Sequence, residues 1–345
     1  MPSTSLSGKW IWLWNWRRCD GGDPARVAEQ LKAAGCAGAL VKAWNGGRWF
    51  DQGMPWRQLA QALKEHGVAV GGWGYCYGED VPGEAQRAIE TATYGEADLL
   101  VLDVEAEFKG RPEAAEELCS RIRGALGAEY PLYFSSFAIA RYHRSFPFEQ
   151  FRGHCAGAAH QVYWNAFRWP PDQSLGCTYA DYAALGISPS QVFPVGGLYQ
   201  EGFVRYPPPD EVRAFIREAG RRSSGGASFW SYEHMADEMW AAVGVEAVGS
   251  PVGEEDEMSS EEFEQVSRSL GELSARVGTL EAEVGALKGA VSAPPRTYTV
   301  ATGDTLSGIA ARLGLGDWRR LYEANRGVIG PDPNRIYPGQ VLAVP

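Results

Sequence analysis

Eight short apolar runs alternate with helix-like stretches across residues 8–245, and this alternation is the strongest constraint on the fold. The runs are Trp10–Trp14, Gly38–Ala43, Val68–Gly74, Leu99–Val104, Leu132–Ser135, Gln161–Trp164, Val192–Gly196 and Ala227–Tyr232. The helical patterns between them include Asp23–Ala34, Trp56–His66, Pro112–Leu126 and Asp210–Arg221. Eight such units in roughly 240 residues predict a TIM-like (β/α)₈ barrel, an α/β fold. An open doubly wound sheet is the alternative, but no Gly-rich phosphate turn follows the first run.

A change of composition near residue 249 divides the chain of 345 residues. We assign residues 1–248 to the barrel. Residues 249–262 are rich in Gly, Pro, Ser and acidic side chains, which predicts a flexible linker. Residues 297–345 form a separate segment with its own pattern. We therefore expect a large domain, a linker, a helical segment and a small domain.

Residues 263–291 carry an unbroken heptad pattern. Its apolar positions are Phe263, Val266, Leu270, Leu273, Val277, Leu280, Val284, Leu287 and Val291. The spacing predicts a coiled coil, and Val at one core position with Leu at the other favours a parallel dimer. Gly271, Gly278 and Gly285 each weaken the helix by about 1 kcal/mol relative to Ala. A trimer also stays open as an alternative to the dimer. A single amphipathic helix lying on the barrel is the alternative to this homo-oligomer.

Composition excludes several classes of partner and cofactor. A formal net charge of −11 argues against a nucleic-acid surface. No apolar stretch reaches the ~18 residues of a membrane span. The six cysteines and five histidines show no metal-ligand spacing, so we expect free, mostly buried thiols, no metal and no cofactor. The N-terminus lacks the pattern of a signal peptide.

Two acidic residues end the fourth run, which reads Leu99-Leu100-Val101-Leu102-Asp103-Val104-Glu105. Side chains alternate along a strand, so Asp103 and Glu105 point the same way, into the mouth of the barrel. Two neighbouring acids repel each other's charge, and the raised pKa that results suits a general acid for glycoside hydrolysis. The alternative is that both merely cap the next helix or pair with Lys and Arg.

Aromatic residues near the strand ends are candidates for a sugar-binding groove, because aromatic rings stack on the apolar faces of sugars. Each of them taken alone is about as well explained by core packing. The substrate-binding candidates are Lys42, Trp73, Tyr75, Tyr133, Tyr163, Asn165, Trp230 and Tyr232. Glu79, Asp80 and Glu233 are weaker candidates for a further carboxylate.

The C-terminal segment has the most specific motif in the chain. Its elements are Tyr298-Thr299-Val300, Gly303-Asp304-Thr305-Leu306, Ile309-Ala310, Trp318, Leu321-Tyr322, Ala324-Asn325, Pro333–Leu342 and Val344-Pro345. They predict a strand, a turn, two small helices and a returning strand. The segment resembles a LysM module, a family that binds N-acetylglucosamine polymers such as peptidoglycan and chitin. The resemblance implies a groove between the Gly303-Asp304-Thr305-Leu306 turn and the loop from Ile329 to Asn334, although a plain turn explains Gly303 and Asp304 equally well.

The barrel resembles the lysozymes of glycoside hydrolase family 25 at its strand ends. The matches are Asp103-Val104-Glu105, Ala39–Ala43 with its Lys42, Gly67–Trp73 and Phe229–Tyr232. The resemblance implies that Glu105 is the proton donor and Asp103 its electrostatic partner. Two positions depart from the family. Asn15 stands where family 25 carries an Asp on the first strand, and the family's Asp on a later strand has no match in this chain.

The chitinase-like family 18 also ends its fourth strand in Asp-x-Glu, and the barrel is similar to it too. Tyr163, Asn165 and Trp230 are similar to positions that this family uses around the N-acetyl group. The similarity implies substrate-assisted chemistry, in which the acetamido group replaces the missing carboxylate.

Together these features predict a lysozyme-like glycoside hydrolase that is anchored to peptidoglycan, such as a phage endolysin or a virion-associated lysin. Without a signal peptide, such a protein reaches the wall through lysis, virion delivery or non-classical export. The alternative is an inactive barrel that serves as a wall-binding adhesin or as a structural phage-tail protein.

Overall fold

The structure, a computed structural model, describes residues 5–222, 225–246, 248 and 296–345. The chain divides into two compact units, Met1–Glu255 and Asp256–Pro345. The predicted linker at 249–262 and the predicted coiled coil at 263–291 lie outside the described residues. Both therefore stay predictions.

The first unit contains a sheet that closes on itself. Its strands are β1 (Gly8–Leu13), β2 (Gly38–Asn45), β3 (Arg48–Trp49), β4 (Ala69–Cys76), β5 (Leu99–Val104), β6 (Leu132–Phe137), β7 (Gly157–Val162), β8 (Val195–Gly197) and β9 (Gly226–Trp230). All except β3 run parallel in chain order, and β9 pairs back onto β1. The short β3 only extends β2 as an antiparallel hairpin. The predicted (β/α)₈ barrel is confirmed.

Helices surround this barrel. They are α1 (Pro24–Ala33), α2 (Trp56–Glu65), α3 (Val81–Thr93), α4 (Pro112–Leu126), α5 (Phe148–His154), α6 (Trp164–Phe167), α7 (Pro171–Ala184), α8 (Pro209–Arg221) and α9 (Asp237–Val245). Asp23 caps α1 by accepting a hydrogen bond from the Ala25 N–H at 2.9 Å. Pro24 and Pro209 occupy first helical positions, where the missing N–H costs nothing. Both helices therefore begin within one residue of the predicted starts, Asp23 and Asp210.

Alternation along the strands decides which side chains face the barrel interior. Leu99 and Val101 of β5 belong to the inner cluster, whereas Leu100, Leu102 and Val104 pack in the layer between sheet and helices. Asp103 continues the inner row at the carboxyl end of β5. The alternation along β5 therefore points Asp103 into the mouth of the barrel.

Two predicted strands shift in register. The sixth barrel strand is Gly157–Val162 rather than Gln161–Trp164, and the chain turns into α6 after Tyr163. This strand begins with small residues, so no apolar pattern marks it. Gly157 has no room for a side chain, because a Cβ there would lie 2.8 Å from the Phe193 ring. The last strand ends at Trp230, and Tyr232 lies in a following 3₁₀ turn.

The second unit is a small domain with its own core. Its elements are β10 (Thr297–Thr299), α10 (Leu306–Arg312), α11 (Trp318–Ala324), α12 (Arg326–Ile329) and β11 (Val341–Ala343). The two strands pair antiparallel. The buried Asn325 side chain donates to the carbonyls of Leu321 (2.8 Å) and Ala343 (2.7 Å), which ties α11 to β11. The short α12 is an addition to the two predicted helices.

Candidate active site

Two carboxylates lie side by side at the mouth of the barrel. Asp103 is only 7% exposed, and Glu105 follows it in the residue after β5. The Gln161 side-chain amide donates one hydrogen bond to Asp103 Oδ1 (3.2 Å) and another to Glu105 Oε1 (2.8 Å). The Gln161 amide therefore bridges the two carboxyl groups. The predicted direction of these two side chains matches this arrangement.

The environment of Asp103 favours its neutral form. Burial raises the pKa of Asp103 well above its usual value, and the charge of Glu105 raises it further. Lys42, Ser135 and Gln161 oppose that rise without cancelling it. Burial and the nearby charge of Glu105 therefore favour retention of a proton on Asp103, next to an open cavity.

A cavity of about 210 Å³ opens directly above the acids. It is lined by Trp12, Asp103, Glu105, Ser135, Gln161, Tyr163 and Trp230. The rings of Trp12, Trp73 and Trp230 meet edge to face, with centroids 5.2 to 6.1 Å apart. Trp12 Nε1 donates to Ser228 Oγ at 3.0 Å, which fixes its ring. These aromatic walls beside a proton donor suit the apolar face of a sugar.

A second cavity of about 570 Å³ shares Asp103, Glu105 and Trp230 with the first. Its lining adds Trp14, Lys42, Trp73, Tyr75, Tyr199, Gln200, Glu201 and His234. The Tyr75 hydroxyl donates to Glu107 Oε2 at 2.8 Å. The structure therefore gathers five of the predicted sugar-binding residues around the acids. These are Lys42, Trp73, Tyr75, Tyr163 and Trp230.

Three other predicted residues line neither cavity. Tyr133 packs inside the barrel on Phe193, with ring centroids 5.4 Å apart. Asn165 donates to the carbonyl of Arg205 at 3.1 Å, from within α6. Tyr232 is buried, and its hydroxyl donates to Asp20. Each of these side chains has a structural role, and the last two lie in the helical turns that follow β7 and β9 rather than at the strand ends.

Two of the three weaker acidic candidates have structural partners, and the third, Glu79, is exposed. Glu233 accepts the backbone N–H of Asn15 at 2.8 Å, at the end of β1. Asp80 caps α3 by accepting the Gly83 N–H. Asp103 and Glu105 are consequently the carboxylates that line the smaller cavity among the described residues.

The sequence pattern missed Trp12 of the smaller cavity and two of its polar residues, Gln161 and Ser135. Both polar side chains lie beside the acids in the lining of this cavity. Polar residues at inward positions are the signal that would have identified them. Using that signal requires the strand register, which was displaced for β7.

The described parts of the chain show neither a metal centre nor a membrane helix. No group of three or more His, Cys, Asp or Glu side chains in those parts is placed to hold a metal ion. None of the helices there combines the length and hydropathy needed to cross a bilayer. All six cysteines are free thiols.

In the small domain, the predicted glycan-binding turn is held together by Asp304. This carboxylate accepts hydrogen bonds from the Ala301 N–H (2.8 Å), the Tyr298 hydroxyl (2.8 Å) and the Arg312 guanidinium (2.7 Å). Gly303 has a φ of +87°, which favours glycine. Among the other residues predicted to bind glycan, Leu306 and Ile329 belong to the core, whereas Thr305 and Asn334 are exposed.

Residues 298–345 match the LysM domain model. The same region is similar to the potassium binding protein Kbp of Escherichia coli O6:H1, at 42% identity over 50 residues. That alignment covers 14% of this chain and 33% of Kbp, so the chain spans about a third of this curated relative.

The barrel is similar to several solved structures. A chitinase from Chromobacterium violaceum matches with a TM-score of 0.53 and 12% identity, over 69% of this chain and 98% of that chain. The spore cortex-lytic enzyme SleL of Bacillus cereus matches with 0.55 and 9%, over 69% and 74%. A family 18 N-acetylglucosaminidase from Paenibacillus barengoltzii matches with 0.51 and 13%, over 69% and 97%.

Sequence identities this low show a common fold and no more. The match supports the resemblance to family 18, whereas the resemblance to family 25 rests on the strand-end motifs alone. Residues 298–345 are therefore a LysM domain, and the barrel that precedes them has the fold of the glycoside hydrolase family 18 chitinases.

Proposed function

We propose that the barrel hydrolyses β-1,4-linked glycans that contain N-acetylated sugars, and that the LysM domain holds the chain on the cell wall. The observation that carries this proposal is the pair Asp103 and Glu105, bridged by Gln161 within an aromatic cavity. Two neighbouring acids beside aromatic walls, one of them buried with a raised pKa, fit glycosidic cleavage better than they fit structural pairing.

Glu105 is the proton donor in this proposal. It is more exposed than Asp103 and lines both cavities, so its carboxyl group reaches a bound substrate. In the proposed step, a proton passes from the Glu105 carboxyl group to the departing glycosidic oxygen. Gln161 keeps Glu105 oriented while this transfer takes place.

The nucleophile comes from the substrate. Because Asp103 and Glu105 are the acids of the smaller cavity, the acetamido oxygen of the sugar attacks the anomeric carbon and closes a charged oxazoline ring. Asp103 accepts the acetamido N–H, and the Tyr163 hydroxyl donates to the acetamido oxygen. Water then attacks the anomeric carbon, the bond between this carbon and the acetamido oxygen breaks to restore the acetamido group, and the proton of the water passes to the Glu105 carboxylate, which restores the acid.

The LysM domain increases the local concentration of glycan around the barrel. A tethered binding module converts encounter with an insoluble substrate into an intramolecular event, and its gain depends on the length of the linker. Self-association through residues 263–291 would multiply this effect. Deleting 263–291 should convert an oligomer into a monomer in light scattering, and a monomeric full-length chain would refute that part.

Lysozyme-like cleavage of peptidoglycan is the narrower proposal, with delivery as an endolysin or virion-associated lysin. Reduction of the released ends with borohydride identifies the bond that is cut. Reduced N-acetylmuramic acid is the product of lysozyme-like cleavage, whereas reduced N-acetylglucosamine marks cleavage on the other side of each disaccharide.

Release of reducing ends from purified peptidoglycan and from chitin tests the activity. Glu105→Gln should lower the rate on the active substrate by about 10²- to 10⁴-fold, the usual range for removing a general acid. Glu129→Gln is the matched control, because Glu129 is exposed in the loop that leads into β6. Equal rates for Glu105→Gln and wild type would require another acid. No release by wild type would favour the wall-binding adhesin.

A further inference from the structure

Two lysines are buried in the barrel, and their ammonium groups have different surroundings. Lys9 is 5% exposed and Lys42 is 6% exposed. Lys9 Nζ donates to the carbonyls of Val243 and Glu246, both at 2.6 Å. Lys42 Nζ has no hydrogen bond and no ion pair with any residue that the structure describes. It lies 4.7 Å from the centre of the Phe50 ring and 4.8 Å from that of Trp73.

The ammonium of Lys42 is therefore incompletely stabilised. A buried charge costs free energy unless it is paired, and two aromatic faces offset only part of that cost. The raised pKa of the nearby Asp103 weakens the countercharge that this carboxyl group supplies. Burial lowers the pKa of Lys42 to about 8, although the charge of Asp103 acts in the opposite direction. At neutral pH a cation with unused N–H donors remains.

The unused donors face the site. Lys42 lines the larger cavity together with Asp103 and Glu105, while Phe50 and Trp73 flank its ammonium. A neutral hydroxyl would accept one hydrogen bond but leave the charge in place. A carboxylate both accepts hydrogen bonds and neutralises the charge.

We propose that Lys42 binds a carboxylate carried by the glycan, so that the mouth selects acidic N-acetylated strands over neutral chitin. A free lactyl carboxylate on an N-acetylated sugar has the required chemistry. The proposal rests on the proposed function for the class of substrate, and it adds a determinant of specificity.

The other titratable groups of the larger cavity limit where such a carboxylate can bind. They are Tyr75, Asp103, Glu105, Tyr199, Glu201 and His234. The acids among them repel an anion. The place beside Lys42, between the two rings, is therefore the favourable position, and the selection should disappear as Lys42 loses its proton above about pH 8.

Protection of Lys42 from chemical modification tests the proposal without requiring turnover. Full-length protein with Glu105→Gln is treated with a small lysine-acetylating reagent, and each lysine is followed by mass spectrometry. The disaccharide of N-acetylglucosamine and N-acetylmuramic acid with a free lactyl carboxylate should slow modification of Lys42 severalfold more than chitobiose does. Lys9, whose ammonium is already paired, should be unaffected by either sugar. Equal protection by the two sugars, or none, would overturn the proposal.

Kinetics provide the second arm. In wild type, kcat/KM for peptide-free acidic strands should exceed that for chitin oligosaccharides of equal length. Lys42→Met should lower this ratio about tenfold through KM, and Lys42→Arg should restore part of it. A ratio that Lys42→Met leaves unchanged would contradict the proposal. If wild type cleaves neither substrate, the proposed activity fails, and the protection measurement still decides the role of Lys42.

Discussion

The barrel mouth and the LysM turn each depend on one aspartate, and the two aspartates have opposite surroundings. Asp103 lies in a buried site beside Glu105, and this desolvation and repulsion raise its pKa. Asp304 accepts the Ala301 N–H and hydrogen bonds from Arg312 and Tyr298, and these contacts lower its pKa. The surroundings of the first carboxyl group therefore favour its protonated form, whereas those of the second favour its anion.

This difference distinguishes a residue kept for chemistry from a residue kept for the fold. A carboxyl group without a cationic partner adds little stability, but it supplies a proton that a reaction can use. A carboxylate with three donors fixes a turn and has little capacity left for a ligand. The same substitution in the two regions should consequently have opposite effects.

Asp103→Asn should give the largest effect on catalysis. Burial and the charge of Glu105 disfavour the charged form of Asp103, so the neutral amide should leave the melting temperature nearly unchanged or slightly raised. The rate of glycan cleavage should fall at least about 100-fold, because the acid pair is lost. Asp172→Asn, at an exposed position of α7, is the control for both assays. Full activity in Asp103→Asn, or a large loss of stability, would remove the contrast between the regions.

Asp304→Asn should affect the fold of the LysM domain and leave hydrolysis of soluble oligosaccharides unchanged. The amide accepts fewer hydrogen bonds and has no charge for Arg312, so the turn from Ala301 to Leu306 should open more often. Hydrogen exchange of the full chain, read on peptides from 297–345, measures this opening. Asp332→Asn, in an exposed turn, should change exchange less. Unchanged exchange in Asp304→Asn would show that the turn does not depend on its carboxylate.

The pH dependence of stability should have opposite signs in the two regions. The pKa of Asp103 is higher in the folded state than in the unfolded state. Its contribution to the free energy of unfolding is therefore complete below the unfolded pKa of about 3.9 and is lost as the pH rises. The pKa of Asp304 is lower in the folded state than in the unfolded state. Its contribution to the free energy of unfolding is therefore complete above the unfolded pKa of about 3.9 and is lost as the pH falls. Denaturation of each Asp→Asn variant against wild type from pH 3 to pH 8 measures both signs. Slopes of the same sign would contradict the assignment.

Tyr298→Phe should have the smallest effect. The hydroxyl donates to Asp304 and accepts from Arg312, both at 2.8 Å, so its loss removes one link and leaves the ion pair. Exchange in residues 297–312 should rise less than it does in Asp304→Asn. A rise as large as that of Asp304→Asn would assign the turn to the tyrosine instead.

The sequence predicted the features that depend on a single regular pattern. The inward direction of Asp103 and Glu105 follows from the alternation of the Leu/Val strand that precedes them. The LysM turn follows from its Gly-Asp-Thr motif. In both cases a local rule decides the geometry, and packing with distant residues does not alter it.

Other features depend on tertiary packing and escaped prediction. Gly157, Ala158 and Ala159 lie in β7, and no apolar pattern marks that strand, since the Gln191 carbonyl and the Phe193 ring leave no room for a side chain at Gly157. Because this strand was predicted too late in the sequence, Gln161 was not identified as a site residue. Asn165 was predicted to bind substrate, although this residue lies in α6. The unpaired state of Lys42 also became visible only from the contacts of its ammonium group.

Proton NMR of a soluble N-acetylated oligosaccharide during hydrolysis tests the central claim most directly. It follows the rate of cleavage and the anomeric configuration of the first product in one experiment. The account predicts that wild type and Glu129→Gln release the β anomer first, since the acetamido group attacks before water does, and that Glu105→Gln releases almost none. An α anomer as the first product, or cleavage by Glu105→Gln at the wild-type rate, would contradict it.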